Sequence, residues 1–236
     1  MKKFAMISGA LLAVSVASAQ FSTSFEAPTY SVGALGGQDS WSGASAQVTN
    51  NKAFSGTQSV INTRPGGSTF MFRAVSNMTG PVKLSAKMWI DAGSSSDLVQ
   101  GIEMWNGGGA SRVGGLWLNS SGKVLGGQNS GWTYNAGAGL GTITNATGRW
   151  LDLAIIYTTG TNTVDVTVDG NNFSYSIATA RTEVGEVDMY HDWDTSSTSA
   201  GTVYFDDVAL EAVPEPATMT VLGLAALAAA RRRKQK

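Results

Sequence analysis

Val82-Lys83-Leu84-Ser85-Ala86-Lys87-Met88-Trp89-Ile90 decides the fold class. Its apolar positions 82, 84, 86, 88 and 90 alternate with Lys83, Ser85, Lys87 and Trp89, the period of two that turns one face of a strand to a core and the other to water. Leu151, Leu153, Ile155 and Tyr157 repeat the pattern, and Val164, Val166 and Val168 repeat it again after Thr159-Gly160-Thr161-Asn162. Those two runs read as an antiparallel hairpin with a short polar loop. A second tight turn at Asp169-Gly170-Asn171-Asn172 leads to Phe173, Tyr175 and Ile177. No window between residues 21 and 212 sustains a helical period with caps, so the spacing predicts one all-β body, a two-sheet antiparallel β-sandwich or barrel.

Composition agrees with that reading and excludes several functions. Among 236 residues there are 29 Gly and no Cys, and charged residues make up 14%, against about 25% in an ordinary soluble domain. Without Cys there is no disulfide framework, thiolate metal site or cysteine nucleophile. The net charge of −1 hides an asymmetry, because seven of the sixteen basic residues sit at the two ends. Residues 21–212 carry nine basic and sixteen acidic side chains, a balance of −7. An acidic body does not suit a nucleic-acid partner. Gly107-Gly108-Gly109, Gly114-Gly115, Gly126-Gly127 and Gly137 to Gly141 read as turns and bulges, since no Lys or amphipathic helix follows to complete a phosphate cradle.

The ends read as export signals. Lys2 and Lys3, an apolar run from Phe4 to Val16, and small residues at Ala17 and Ala19 form a signal peptide over residues 1–19, a helix that signal peptidase removes at Ala19. The sandwich then spans residues 20–212, and residues 213–236 hold Val213-Pro214-Glu215-Pro216, an apolar segment to Ala230, and Arg231-Arg232-Arg233-Lys234. From Val213 to Ala230 is close to the ~20 residues of a transmembrane helix, with the Arg cluster on the cytoplasmic side. A plain anchor explains the helix and the Arg cluster, but not Pro214-Glu215-Pro216.

That tripartite ending resembles the PEP-CTERM sorting signal. The resemblance implies processing near Pro-Glu-Pro by exosortase, a membrane protease. It also implies transient anchoring in the inner membrane, and release to the surface or matrix of a Gram-negative bacterium that makes extracellular polysaccharide. It implies nothing about catalysis.

The body itself resembles concanavalin A-like jelly rolls, among them carbohydrate-binding modules and laminin-G-like domains. The similarity rests on Ser24-Phe25-Glu26-Ala27-Pro28, Gly36-Gly37-Gln38-Asp39-Ser40-Trp41, Phe54-Ser55-Gly56-Thr57-Gln58-Ser59-Val60 and Gly201-Thr202-Val203-Tyr204-Phe205-Asp206-Asp207-Val208. It implies that the first and last strands lie side by side. Glu26 in the first strand and Asp207 in the last would then be ligands of one structural Ca²⁺, with Asp206 in its place should a bulge reverse the strand; the alternative is that the two aspartates cap a strand end in solvent.

Seven Trp residues offer stacking faces for pyranose rings. Trp89 stands on the solvated side of its strand, and Trp105, Trp117, Trp132 and Tyr134 fall in the glycine-rich centre, where loops could present them; packing in the sandwich core competes for every one, as for Trp41 and Trp150. His191, the only histidine, lies in Tyr190-His191-Asp192-Trp193-Asp194, which reads as a polar loop. There is no Gly-x-Ser-x-Gly elbow for a serine nucleophile. Glu103, Glu183 and Glu186 could serve glycoside hydrolysis in principle, but the Glu-x-Asp-x-x-Glu repeat of glucanases with this fold is missing. The sequence therefore points to an exported, non-enzymatic matrix or surface protein that contributes structure and binds extracellular polysaccharide, with a hydrolase or lyase on the same fold as the alternative.

Overall fold

A computed structural model describes residues 19–43, 45–65, 70–127, 137–193 and 198–214. The predicted signal and anchor helices, Ala17, Trp132, Tyr134, Glu215, Pro216 and Arg231 to Arg233 lie outside the described residues. The chain divides into two units, Ser18–Val213 and the two terminal segments Met1–Ala17 with Pro214–Lys236. The first unit is all-β, with fifteen strands among the described residues. No described helix is long and apolar enough to cross a membrane.

Two antiparallel sheets make up the body. The first runs in the spatial order β13 (Asn171–Ser176), β12 (Thr163–Val168), β11 (Trp150–Thr158), β6 (Pro81–Ile90), β15 (Gly201–Ala212), β4 (Ser59–Arg64), β3 (Gln47–Thr49) and β2 (Gly33–Ala34). β1 (Ala19–Thr23) joins it beside β15, from Ala19 opposite Glu211 to Thr23 opposite Val208. First and last strands are thus adjacent, and Ala19 belongs to the pair. The second sheet runs β10 (Gly137–Thr142), β9 (Lys123–Gly127), β8 (Arg112–Asn119), β7 (Leu98–Trp105), β14 (Val184–Trp193) and β5 (Phe70–Met78).

The predicted patterns form where expected. β6 alternates buried and half-buried along its whole length, and Val82, Leu84, Met88 and Ile90 are fully buried. Each such side chain contributes roughly 1.5–3 kcal/mol through removal from water. The β11–β12 hairpin pairs Leu153 with Val168 and Tyr157 with Val164. The β12–β13 turn is tighter than the four residues expected: Asp169 and Gly170 at φ 48° and 77° close it, and Asn171 already pairs with Val168. Two consecutive positive φ values are what a two-residue hairpin turn demands. Between the sheets, one core gathers Leu84, Met88, Leu153, Ile155 and Phe205 from the first and Ile102, Met104, Leu116, Val187 and Met189 from the second. Tyr175 crosses that core. Its hydroxyl donates to Gly115 O and accepts from Gly115 N, both at 2.8 Å, and burial raises its pKa.

Three expectations are corrected. Gly114-Gly115 and Gly126-Gly127 lie inside β8 and β9 rather than in turns. His191 is not in a polar loop; it sits in β14 opposite Gln100, fully buried, because the strand continues along β7 to Trp193 and the parity of His191 is that of the core residues Val187 and Met189. Trp150 does not fill the core. It is half-exposed and pairs with Trp89 on the outward face.

Candidate functional site

The outward face of the nine-stranded sheet carries an aromatic row. Tyr204 on β15, Trp89 on β6 and Trp150 on β11 are directly opposite one another in register, so three aromatic side chains stand side by side at the ~4.8 Å strand spacing. The Trp89 and Trp150 rings meet edge to face at 6.0 Å, and Trp89 Nε1 donates to Asp91 Oδ1 at 2.8 Å. Lys52 places its ammonium 3.8 Å from the centre of the Trp89 ring and 5.3 Å from that of Tyr204. Phe54, 46% exposed, packs edge to face on Trp150 at 5.9 Å, with the Lys87 ammonium 4.1 Å over its own ring.

The three carboxylates expected to hold calcium gather on the segment that carries Lys52 and Phe54. Glu26 lies beyond the end of β1, not within it. Its Oε1 accepts from the amides of Thr57 and Gln58 at 2.7 Å, and its Oε2 from the Thr57 hydroxyl at 2.9 Å. Although partial desolvation opposes it, the three bonds together hold the Glu26 pKa below its ordinary value. Asp206 Oδ2 accepts from the amides of Phe54 and Ser55 at 2.8 and 3.1 Å, and its Oδ1 from the amide of Asp207. Asp207, at φ 45°, is the extra residue of a β-bulge and accepts from the Ser55 hydroxyl at 2.6 Å. The two aspartates therefore do not cap a strand end in solvent; Asp206 is fully buried. Burial lifts its pKa to about 6 against the pull of the three amides, with the neighbouring Asp207 charge adding to the rise.

Donors aimed at all three carboxylates are the reverse of what a cation needs, and among the described residues no three acidic or histidine side chains converge as a metal-ligand group. The arrangement does not fit a calcium cage.

A second constellation lies on the outward face of the six-stranded sheet. Glu103 on β7, fully buried, accepts from Trp105 Nε1 and Trp117 Nε1 at 2.7 Å each and pairs with Arg112 Nε at 3.1 Å. The Arg112 guanidinium lies 5.0 Å from the Trp105 ring centre and 4.8 Å from that of Trp117. Glycines make the room. A Cβ on Gly115 would stand 3.2 Å from the Trp117 ring, and one on Gly127 would stand 3.0 Å from Arg112 Cδ. Trp117 also meets the Tyr190 ring at 5.6 Å across Gly101.

Asp188, opposite Glu103 on β14, is held well above the ordinary carboxylate pKa, first by burial and then by the negative charges of Glu103 and Glu186, which outweigh Arg112. Glu186 is raised by partial burial. On the core side of the same strand, burial and the Arg64 charge lower His191 to about 3.

Trp105 and Trp117 are therefore brought together, but in strands and at 1% and 2% exposure rather than on loops. Trp89 keeps a half-exposed ring. Sequence reasoning missed Lys52, Phe54, Tyr204 and Arg112, whose roles depend on pairings between distant strands. The available signal was the same-face spacing of Glu103 with Trp105, and of Glu186 with Asp188.

Comparison with known proteins adds two findings. Residues 212–234 match the PEP-CTERM protein-sorting motif. The chain is thus an exported protein sorted via the membrane, and the motif implies processing by exosortase during export. No curated protein matches the chain. Among solved structures it is similar to "Cellulose induced protein, Cip1" (TM-score 0.54, 16% identity, 80% of this chain and 96% of that one). It is also similar to an alginate lyase, vAL-1, from Chlorella virus (0.53, 12%, 75% and 95%). A third is the botulinum neurotoxin serotype C1 binding domain (0.56, 11%, 87% of this chain), of which the chain spans about half, 51%. At these identities the likeness establishes the jelly-roll sandwich fold and nothing more.

Proposed function

We propose that the chain is a non-enzymatic, glycan-binding protein of the cell surface or extracellular matrix, which takes a pyranose chain of the extracellular polysaccharide along the row Tyr204–Trp89–Trp150. The observation that carries this reading is the register itself, since a core needs no file of aromatics on an outward sheet face. The Trp89 and Trp150 rings, set edge to face, with Tyr204 beside them, offer aromatic surface to the C–H groups of successive sugars. Contacts of this kind are individually weak, and many copies on one polymer network supply avidity. Affinity electrophoresis of the purified chain in gels containing cellulose derivatives, xylan, alginate or polygalacturonate tests it. Retardation by at least one polymer, abolished by Trp89→Ala, is expected. Unretarded migration in every gel overturns the proposal.

A hydrolase or lyase is the second reading, favoured by one observation: Glu186, half-exposed, sits two residues from Asp188, a carboxyl held toward its protonated form, which is how a general acid is prepared. Glu103, with both oxygens committed to indoles and Arg112, is a positioning group in that reading. Release of reducing ends or unsaturated uronates from the same polymers, lost in Glu186→Gln, would replace the first reading by the second.

A further inference from the structure

All three rings in the aromatic row are already covered by the chain itself. Tyr204 faces outward and yet is 7% exposed, while the Lys52 ammonium sits over Trp89 and Tyr204 and the Phe54 ring sits on Trp150. Both side chains come from residues 50–58, which belong to no strand. The segment is held by side chains instead: Asp206 takes the amides of Phe54 and Ser55, Asp207 the Ser55 hydroxyl, and Glu26 the amides of Thr57 and Gln58. Gly56 completes the attachment. Its φ of 62° favours glycine, and a Cβ there would collide with the Glu26 carboxylate. The backbone is thus anchored at two places by acceptors, while the occupying groups are a flexible Lys and a Phe with almost half its surface in water. Cations and aromatic edges on ring faces imitate what a sugar's polarised C–H groups present to the same faces.

We infer that residues 52–58 form a strap that occupies the aromatic row in the unliganded chain, and that a pyranose chain binds by displacing Lys52 and Phe54 from the rings. The inference rests on the glycan-binding reading and specifies how that same site is regulated. The anchors at Glu26, Asp206 and Asp207 keep the strap's backbone in place while its two side chains swing away, so the site is self-covered when empty. Lys52 returns its ammonium to water on displacement, and there it lies beside the bound chain, where a carboxylate of a uronate would meet it.

The double variant Lys52→Ser/Phe54→Ser removes the occupants and leaves every anchor intact. For whichever polymer retards the wild-type chain, the double variant is expected to bind about tenfold tighter, the change that roughly 1.4 kcal/mol produces. Trp89→Ala in that background should bind nothing. A second measurement follows the Lys52 side chain by NMR: its protons, shifted upfield by the Trp89 ring, should move to ordinary values when polymer is added. Equal or weaker binding by the double variant, with wild-type binding intact, overturns the strap and leaves the glycan reading standing. Binding by neither chain overturns both.

Discussion

Asp188 on β14 lies directly opposite Glu103 on β7, two carboxyl side chains facing each other on one side of a sheet, at 3% and 0% exposure. Residues opposed in this way bring their Cβ atoms to within about 4.5–5.5 Å, and like charges there destabilise. Glu103 has compensation from Arg112 and two indoles. Asp188 meets the repulsion and the burial by holding its proton.

This proton is a liability as pH rises. Below about pH 4 Asp188 is protonated in both folded and unfolded chains and contributes nothing to pH dependence; above it the unfolded chain releases the proton and the folded chain retains it, so stability falls as pH climbs toward the folded pKa. His191, lowered to about 3, acts at the acid side: between roughly pH 6.5 and 3 the unfolded chain takes up a proton that the buried imidazole refuses, and stability falls as pH drops. Urea denaturation from pH 3 to 9 should show Asp188→Asn gaining on the wild type by up to about 1.4 kcal/mol per pH unit above pH 4. His191→Gln should flatten the acid limb. Parallel curves for variant and wild type would contradict both assignments.

Removing the acceptor at the centre of the indole cluster should be costly. Glu103→Ala removes the carboxylate that pairs with Arg112 and accepts from two indole N–H groups, and a loss of about 3–5 kcal/mol is expected. Trp105→Phe and Trp117→Phe, which each delete one donor to a charged group, should cost about 1.5–3 kcal/mol through that bond. Chemical denaturation of the three variants checks the order.

Two glycines with ordinary φ should respond oppositely to alanine. A Cβ on Gly101 would run into the backbone carbonyl of Leu116, an atom that cannot move without opening the β7–β8 ladder, whereas a Cβ on Gly93 meets nothing within 4 Å. Gly101→Ala is expected to lose at least the ~1–3 kcal/mol of an overpacked core, and Gly93→Ala to stay within ~0.5 kcal/mol of wild type. Thermal unfolding distinguishes them.

Calcium should leave the fold's stability unchanged. With Glu26, Asp206 and Asp207 accepting from the strap, millimolar Ca²⁺ or chelator is expected to shift the melting temperature of the purified chain by less than a degree or so, against the ~2–4 °C per kcal/mol that a stabilising ligand gives a domain of this size. A rise of several degrees with Ca²⁺ would mean that the carboxylates exchange strap donors for a cation.

Much of this protein was legible in the sequence because the signals are local. Alternation along Val82–Ile90 and Leu151–Tyr157 set the strands and their buried faces, since side-chain direction in a strand depends only on residue parity. The sorting signal is likewise contiguous, and its three parts could be read in order. Trp89 was singled out for the same reason: parity alone placed it outside. What parity cannot supply is a partner. That Trp89 stands between Tyr204 and Trp150, that Asp188 opposes Glu103, and that Phe54 and Ser55 reach Asp206 across some 150 positions are facts of strand order. Chain segments so far apart meet only when the whole sandwich closes, so the tertiary structure alone decided which carboxylates hold a strap, which hold indoles, and which rings stand in line.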